Sequence, residues 1–227
     1  MERGRALFRT TISLKITMAL SGIVWVGFVI GHMLGNLKVY QGADAFNHYA
    51  EGLRVFGDPF LGRGQALWIA RIVLIVALVL HVWSAWTLSR RSHAARDVKY
   101  RRREAIEFSR ASRTMRWGGV ALLAFIVYHI LHFTTGTLHY DFVHGDAYHN
   151  LVAGFQLWYV AAIYVVAMVA LGLHLYHGTW SAFQTLGLGD GQDHGRRWHR
   201  RLALAVALVV ALGNLSFPVA VLTGIVS

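Results

Sequence analysis

Six of the thirteen histidines lie inside long apolar stretches of the sequence, where an imidazole is costly unless it finds a hydrogen-bond partner or a metal. These six are His32, His81, His129, His132, His174 and His177. The chain has no cysteine, which excludes iron–sulfur ligation, c-type haem attachment and a thiolate nucleophile. Any redox chemistry must therefore rest on histidine or on a bound organic cofactor.

The apolar stretches that carry these histidines are long enough to cross a bilayer. Five segments reach the roughly 20 residues that span the hydrocarbon core, and they cover residues 14–36, 66–88, 117–137, 157–183 and 202–225. A hydrophobic content of 56% is typical of a membrane protein, and in lipid only helices satisfy their own backbone here. We expect an all-α polytopic membrane protein in which residues 1–227 form one domain, a bundle of five transmembrane helices.

The distribution of Lys and Arg predicts how the bundle lies in the membrane. Most of the 22 Lys and Arg residues fall in the N-terminal tail and in the loops after the second and fourth segments. The other two loops hold only Lys38, Arg54 and Arg63. We expect a cytoplasmic N-terminus and an outside C-terminus, in the inner (cytoplasmic) membrane of the cell. This arrangement accounts for the net charge of +11 without nucleic-acid binding.

The intramembrane histidines sort into two levels when each is counted from the cytoplasmic end of its helix at about 1.5 Å per residue. His32 and His129 lie roughly 27 and 18 Å from that end. His81 and His174 lie roughly 12 and 15 Å from it. The four therefore form an outer pair on the first and third segments and an inner pair on the second and fourth.

Such pairs favour haem. Two imidazoles that face each other from neighbouring helices fill both axial positions of a haem iron, which gives a low-spin centre suited to electron transfer. Small residues such as Gly27, Gly31 and Gly35 leave room for a flat macrocycle, although they are also typical of plain helix contacts. The alternatives are hydrogen-bonded packing histidines, or zinc, which would need four ligands at one level. We expect two haems b.

The other histidines are less informative. His132 and His177 lie one turn beyond His129 and His174 on nearly the same face, and spacing alone does not choose within either doublet. The remaining seven fall in predicted loops, where we expect them to be solvated or interfacial. They are His48, His139, His144 and His149 on the outer side, and His93, His194 and His199 on the inner side.

Several motifs, spread over nearly the whole chain, are specific when taken together. They are Gly31-His32-Met-Leu-Gly-Asn36, Gly42-Ala-Asp-Ala-Phe-Asn47, His81 late in the second segment, Tyr128-His129-Ile-Leu, and Gly172-Leu-His174-Leu-Tyr-His-Gly-Thr-Trp-Ser-Ala-Phe-Gln184. With these motifs the sequence resembles the cytochrome b558 family of succinate dehydrogenases and fumarate reductases, of the single-anchor, di-haem type.

The resemblance implies ligands and partners. It assigns His32 with His129 to the outer haem iron and His81 with His174 to the inner one, which leaves His132 and His177 as packing or neighbouring groups. It also implies a flavoprotein subunit with FAD and an iron–sulfur subunit, both docked on the cytoplasmic face. The chain would then be the membrane-anchor subunit of succinate:quinone oxidoreductase, with electrons passing through both haems to quinone, commonly menaquinone, and the complex can form higher oligomers.

Two polar residues are candidates for roles beside the outer haem. In some relatives a carboxylate near that haem handles the quinone proton, and Glu51 is the nearest match, against the alternative of a solvated loop carboxylate. Arg71, near the outer end of the second segment, either pairs with a haem propionate or extends its guanidinium to the lipid headgroups.

Two other functions compete with this interpretation. One is a di-haem cytochrome b anchor of another respiratory enzyme, such as a formate dehydrogenase or a hydrogenase, whose catalytic subunits usually lie outside. The large basic loops predicted on the inside favour the succinate enzyme instead. The other is a haem-free transporter or membrane anchor, which would show no visible absorption.

Overall fold

The computed structural model describes the backbone of residues 10–94, 106–188 and 193–227, and the side chains of residues 10–94, 115–188 and 198–227. Within these ranges the chain is helical and forms no strand. A 3₁₀ turn, Leu37–Gln41, follows the first helix, and a π-helical turn, Ile130–Thr134, follows the fourth. The helices are α1 (Thr11–Asn36), α2 (Ala43–Val55), α3 (Gln65–Ala94), α4 (Ile106–His129), α5 (Ala147–Gln156), α6 (Trp158–Thr185) and α7 (Asp193–Leu222).

Five of the helical stretches are long and apolar enough to cross a membrane, which confirms the predicted all-α, five-span architecture. The third span ends earlier than predicted, because the chain turns at Gly136 with a φ of 72°, a backbone conformation that favours glycine. The spans cover Thr11–Gln41, Gln65–Ala94, Met115–Thr134, Trp158–Thr185 and Trp198–Leu222. Many of the basic side chains that predict the orientation, together with His194, lie outside the described residues, so the orientation stays a prediction.

Two connections that the sequence analysis treats as loops contain helices, α2 and α5. The first follows Gly42, whose φ of 94° lets the chain turn sharply out of the 3₁₀ turn. The second is capped by Asp146, whose Oδ1 accepts the backbone N–H of His149 at 2.9 Å. Asn47 joins the two helices, because its amide donates to Asp146 at 2.9 Å and its carbonyl accepts the N–H of Tyr148 at 3.0 Å.

The core of the bundle is built around α6, which packs along α7 and also against α1 and α4. The close approach of α6 and α7 depends on Gly172, where an added Cβ would lie 3.1 Å from Ala211 Cβ. Under α2 and α5, large apolar side chains fill the end of the bundle. They include Val39, Phe46, Leu151, Phe155, Val160, Phe217 and Val221.

The four histidine-bearing helices, α1, α3, α4 and α6, do not all pack along one another. α1 packs along α3 and α6, and α4 packs along α6. In the described part of the chain, α1 does not pack along α4, and α3 does not pack along α6. The outward side chains of α3, such as Ile72, Ile75 and Val79, are more than half exposed, as expected for a helix that faces lipid.

Candidate functional site

The inner pair, His81 and His174, comes together across the bundle. Their ring centroids lie 6.3 Å apart, with the ring planes at 60°. His81 Nδ1 lies 3.1 Å from the carbonyl oxygen of Met18. Since a carbonyl oxygen only accepts, Nδ1 of His81 carries the hydrogen and Nε2 keeps its lone pair. His81 is thus held in the tautomer that binds a metal through Nε2.

Two neighbours of His81 on α1 restrict the position of its ring. Ser21 donates its hydroxyl hydrogen to Thr17 O at 2.6 Å, and its oxygen lies 3.3 Å from His81 Nδ1, where it is a second acceptor. An added Cβ at Gly22 would lie 3.3 Å from His81 Cε1, which is closer than most Cβ contacts in proteins. The ring therefore lies close to α1 at a position where that helix has no side chain.

His174 is bound less tightly to its surroundings. Its Nδ1 is buried and has no hydrogen-bond partner within the described residues. Leaving a buried polar nitrogen unpaired costs about 1–3 kcal/mol. An imidazole that served only to fill space would therefore be unfavourable at this position. An added Cβ at Gly119 of α4 would lie 3.6 Å from His174 Cε1. Glycines therefore border the ring of each histidine of the inner pair.

The outer pair, His32 and His129, is equally close. The ring centroids lie 5.8 Å apart, with the planes at 87°. His32 stacks on Phe28, with the centroids 5.4 Å apart, and its Nε2 accepts the side-chain amide of Asn36 at 3.3 Å. His129 Nδ1 lies 3.2 Å from the hydroxyl of Tyr164. Both rings are therefore oriented by neighbours as well as by each other.

The two pairs lie at separate levels of the bundle. On α6, Tyr164 contacts the outer pair and His174 belongs to the inner pair, and these residues are ten positions apart, or about 15 Å along the axis. On α1, Ser21 contacts His81 and is eleven positions from His32, or about 16 Å. Two independent helices thus give the same separation.

The spacing within each pair would allow both of its imidazoles to bind one metal ion. Two imidazoles on opposite sides of one metal ion, with bonds of about 2.0–2.1 Å each, place their ring centroids roughly 6 Å apart. The observed separations are 5.8 and 6.3 Å. A tetrahedral zinc site needs more ligands at one level, and no group of three or more His, Asp or Glu side chains with metal-site geometry occurs among the described residues.

No family model, curated protein or solved structure matches this chain. The resemblance to the cytochrome b558 family therefore rests on the sequence motifs themselves.

Glu51 and Arg71, the other predicted site residues, lie at the surface of the structure. Glu51 is half-exposed and forms ion pairs with Arg54, at 3.0 Å, and with Arg63. Arg71 is exposed, and its guanidinium carbon lies 4.9 Å from the centroid of the Trp68 ring, a cation–π contact. Neither residue makes a described contact with the histidine pairs, so their roles stay predictions.

Two histidines that we expected to be solvated or interfacial are buried, which corrects that expectation. His139 is 8% exposed, because its Nε2 donates to Asn150 O at 2.8 Å and its Nδ1 accepts the N–H of Asp141 at 3.1 Å. His199 is 7% exposed, and its ring packs against those of Phe183 and Trp198. In both, local partners satisfy or cover the imidazole, which removes the cost of burial.

Tyr164 is a site residue that the sequence analysis misses. It is 6% exposed, and its hydroxyl lies 3.2 Å from His129 Nδ1 and 3.1 Å from His132 Nδ1. A tyrosine in the middle of an apolar span needs a partner for its hydroxyl. That requirement is the signal in the sequence that could have identified Tyr164, but the sequence does not say which histidine supplies the partner.

Proposed function

We propose that this chain is the membrane-anchor cytochrome b subunit of a succinate:quinone oxidoreductase and holds two haems b. The observation that carries the proposal is the meeting of four histidines from four helices as two pairs, at two levels about 15 Å apart. Packing histidines need one partner each, and nothing requires them to meet in such pairs across helices that do not pack along each other.

The outer haem would be held by His32 and His129, and the inner haem by His81 and His174. The side-chain amide of Asn36 would then have to release the Nε2 lone pair of His32 to the iron. A haem with two imidazole ligands supplies a low-spin centre that accepts and donates one electron at a time. The protein residues orient the ligand rings: the carbonyl of Met18 keeps His81 Nε2 free of hydrogen. Electrons would cross the membrane by passing from one haem to the other.

The remaining parts of the proposal concern the ends of the bundle. Glu51 would exchange the proton of a quinone, of which menaquinone is the first choice, and Arg71 would pair with a propionate of the outer haem. The flavoprotein and iron–sulfur subunits would bind the end that carries Arg91, Arg116 and Arg200, since a basic surface favours an acidic partner or anionic lipid. The membrane would be the cytoplasmic one.

The test is to purify the chain with its bound neighbours from its native membrane. We expect a bis-histidine haem b spectrum with two haems per chain, co-purification of a flavoprotein and an iron–sulfur protein, and reduction of quinone that depends on succinate. One or no haem per chain would overturn the two-level site. Two haems with formate dehydrogenase or hydrogenase subunits bound instead would keep the site and overturn the link to succinate.

A further inference from the structure

One hydroxyl group connects the outer pair to a second layer of histidines. Tyr164 Oη lies within hydrogen-bond distance of Nδ1 of both His129 and His132. Its ring is held edge-on by Phe125 and Phe155, with centroids 5.0 and 4.9 Å away. The hydroxyl therefore has little freedom to leave the two imidazoles.

His132 is fixed just as firmly. It is 1% exposed and stacks on two rings, Tyr128 at 5.5 Å with an interplanar angle of 11° and His139 at 4.8 Å with an angle of 24°. His139 is in turn held by two backbone groups, the carbonyl of Asn150 and the N–H of Asp141. A chain of oriented groups thus runs from the connection before α5 to the outer pair.

The number of available hydrogens determines the direction of the hydrogen bonds that Tyr164 makes with His129 and His132. A tyrosine hydroxyl has one hydrogen, so it donates to one imidazole and must accept from the other. If His129 accepted, its hydrogen would sit on Nε2 and block the nitrogen that faces a metal. If His129 donates from Nδ1, its Nε2 keeps a lone pair, and the hydroxyl hydrogen goes to Nδ1 of His132.

We infer that Tyr164 is a positioning residue for the outer haem, accepting the Nδ1 hydrogen of His129 and donating its own to His132. This inference rests on the proposed function. It gives His129 the acceptor that Met18 O gives to His81, whereas His174 Nδ1 has no such acceptor among the described residues. An acceptor on this hydrogen makes the imidazole more basic and favours the oxidised state of a bound iron.

The experiment is a redox titration of both haems in the purified complex with Tyr164→Phe. This change removes the acceptor but keeps the ring, so packing is preserved. We expect a roughly tenfold shift of the outer haem toward the reduced state, equal to a rise in midpoint potential of about 59 mV for a one-electron couple. The inner haem should not change. The outer potential is identified as the one missing in His129→Ala.

Two variants serve as controls. Tyr128→Phe removes a nearby hydroxyl that makes no hydrogen bond within the described residues, and it should leave both potentials unchanged. His132→Ala keeps the bond between His129 and Tyr164, so it should shift the outer potential less than Tyr164→Phe does.

The outcomes separate the inference from the proposed function. If Tyr164→Phe left the outer potential in place, or moved both potentials equally, the positioning role would be overturned. Loss of the outer haem alone in Tyr164→Phe, with both haems kept in Tyr128→Phe, would support it. A wild-type complex with fewer than two haems would instead reject the proposed function, and the inference with it.

Discussion

The ring centroids of His81 and His174 lie 6.3 Å apart, although α3 and α6, which carry them, do not pack along each other. Each ring also lies beside a glycine of another helix. His81 lies beside Gly22 of α1, and His174 lies beside Gly119 of α4. The pair thus joins all four histidine-bearing helices at one level. Its contacts give the most direct tests of the site.

Replacing either member of the inner pair should remove one haem and leave the other. In His174→Ala or His81→Ala, a haem bound by this pair would lose one of its two histidine ligands, while His32 and His129, about 15 Å away, would still hold the other haem. The measurement is haem content per chain together with the visible spectrum. We expect one haem per chain in each variant.

His177→Ala is the matched control for that prediction. His177 is on the same helix one turn beyond His174, is half-buried, and contacts the ring of Tyr176 at 5.1 Å. It should keep two haems. If His177→Ala lost a haem and His174→Ala kept both, the choice within this doublet would be wrong.

The doublet on the fourth helix is tested in the same way. His129 faces His32 at 5.8 Å, whereas His132 stacks on Tyr128 and His139 and reaches His129 only through the hydroxyl of Tyr164. We expect His129→Ala to lose the outer haem and His132→Ala to retain both. Pyridine haemochrome analysis of the purified variants checks this, and the reverse pattern would exchange the roles of the two residues.

The sequence predicts those parts of the molecule that depend on simple periodic rules. Segment length and hydropathy predict five spans because a bilayer requires about 20 apolar residues in each. Counting the rise per residue predicts which histidines share a level, and the structure places His32 beside His129 and His81 beside His174. The depth of a residue in the membrane depends only on its position along its own helix, so it follows from the sequence alone.

Contacts between side chains of different helices do not follow from such rules. The bond between Tyr164 and His129 depends on how α4 and α6 are rotated about their axes, and that rotation depends on the whole bundle. His139 is buried because two backbone groups of its own loop and α5 reach its nitrogens. Neither arrangement leaves a periodic pattern in the sequence.

Gly22 should be sensitive to a single methyl group. In Gly22→Ala the added Cβ would lie 3.3 Å from His81 Cε1, so the imidazole must move away from Met18 O. We expect a changed inner-haem spectrum or a lower inner-haem content. Gly118→Ala in α4 is the control, because an added Cβ there meets no atom within 4 Å. Equal effects of the two variants would show that the loss of any helical glycine, rather than contact with His81, is responsible.

Asp146 should stabilise α5 in a manner that depends on pH. The backbone N–H of His149, followed by the side-chain amide of Asn47, holds the pKa of this carboxyl below its ordinary value. A lowered pKa in the folded state means that the contribution is complete above the ordinary carboxyl pKa of about 4 and is lost as the pH falls through the lower folded value. The cap should therefore be intact at neutral pH and weakened in acid.

Hydrogen exchange of the α5 amides measures this local stability without unfolding the spans. Losing an N-cap costs about 1 kcal/mol, so Asp146→Ala should speed the exchange about fivefold at pH 7. The ratio of variant to wild-type rates should fall toward one in acid, once the pH drops below the lowered pKa of Asp146 and the wild-type carboxylate is protonated. Asp146→Asn is the matched control, since Asn caps a helix without a charge to lose, so its exchange rate relative to that of Asp146→Ala should not change with pH. A fivefold ratio for Asp146→Ala that persists in acid would mean that the charge of Asp146 does not contribute.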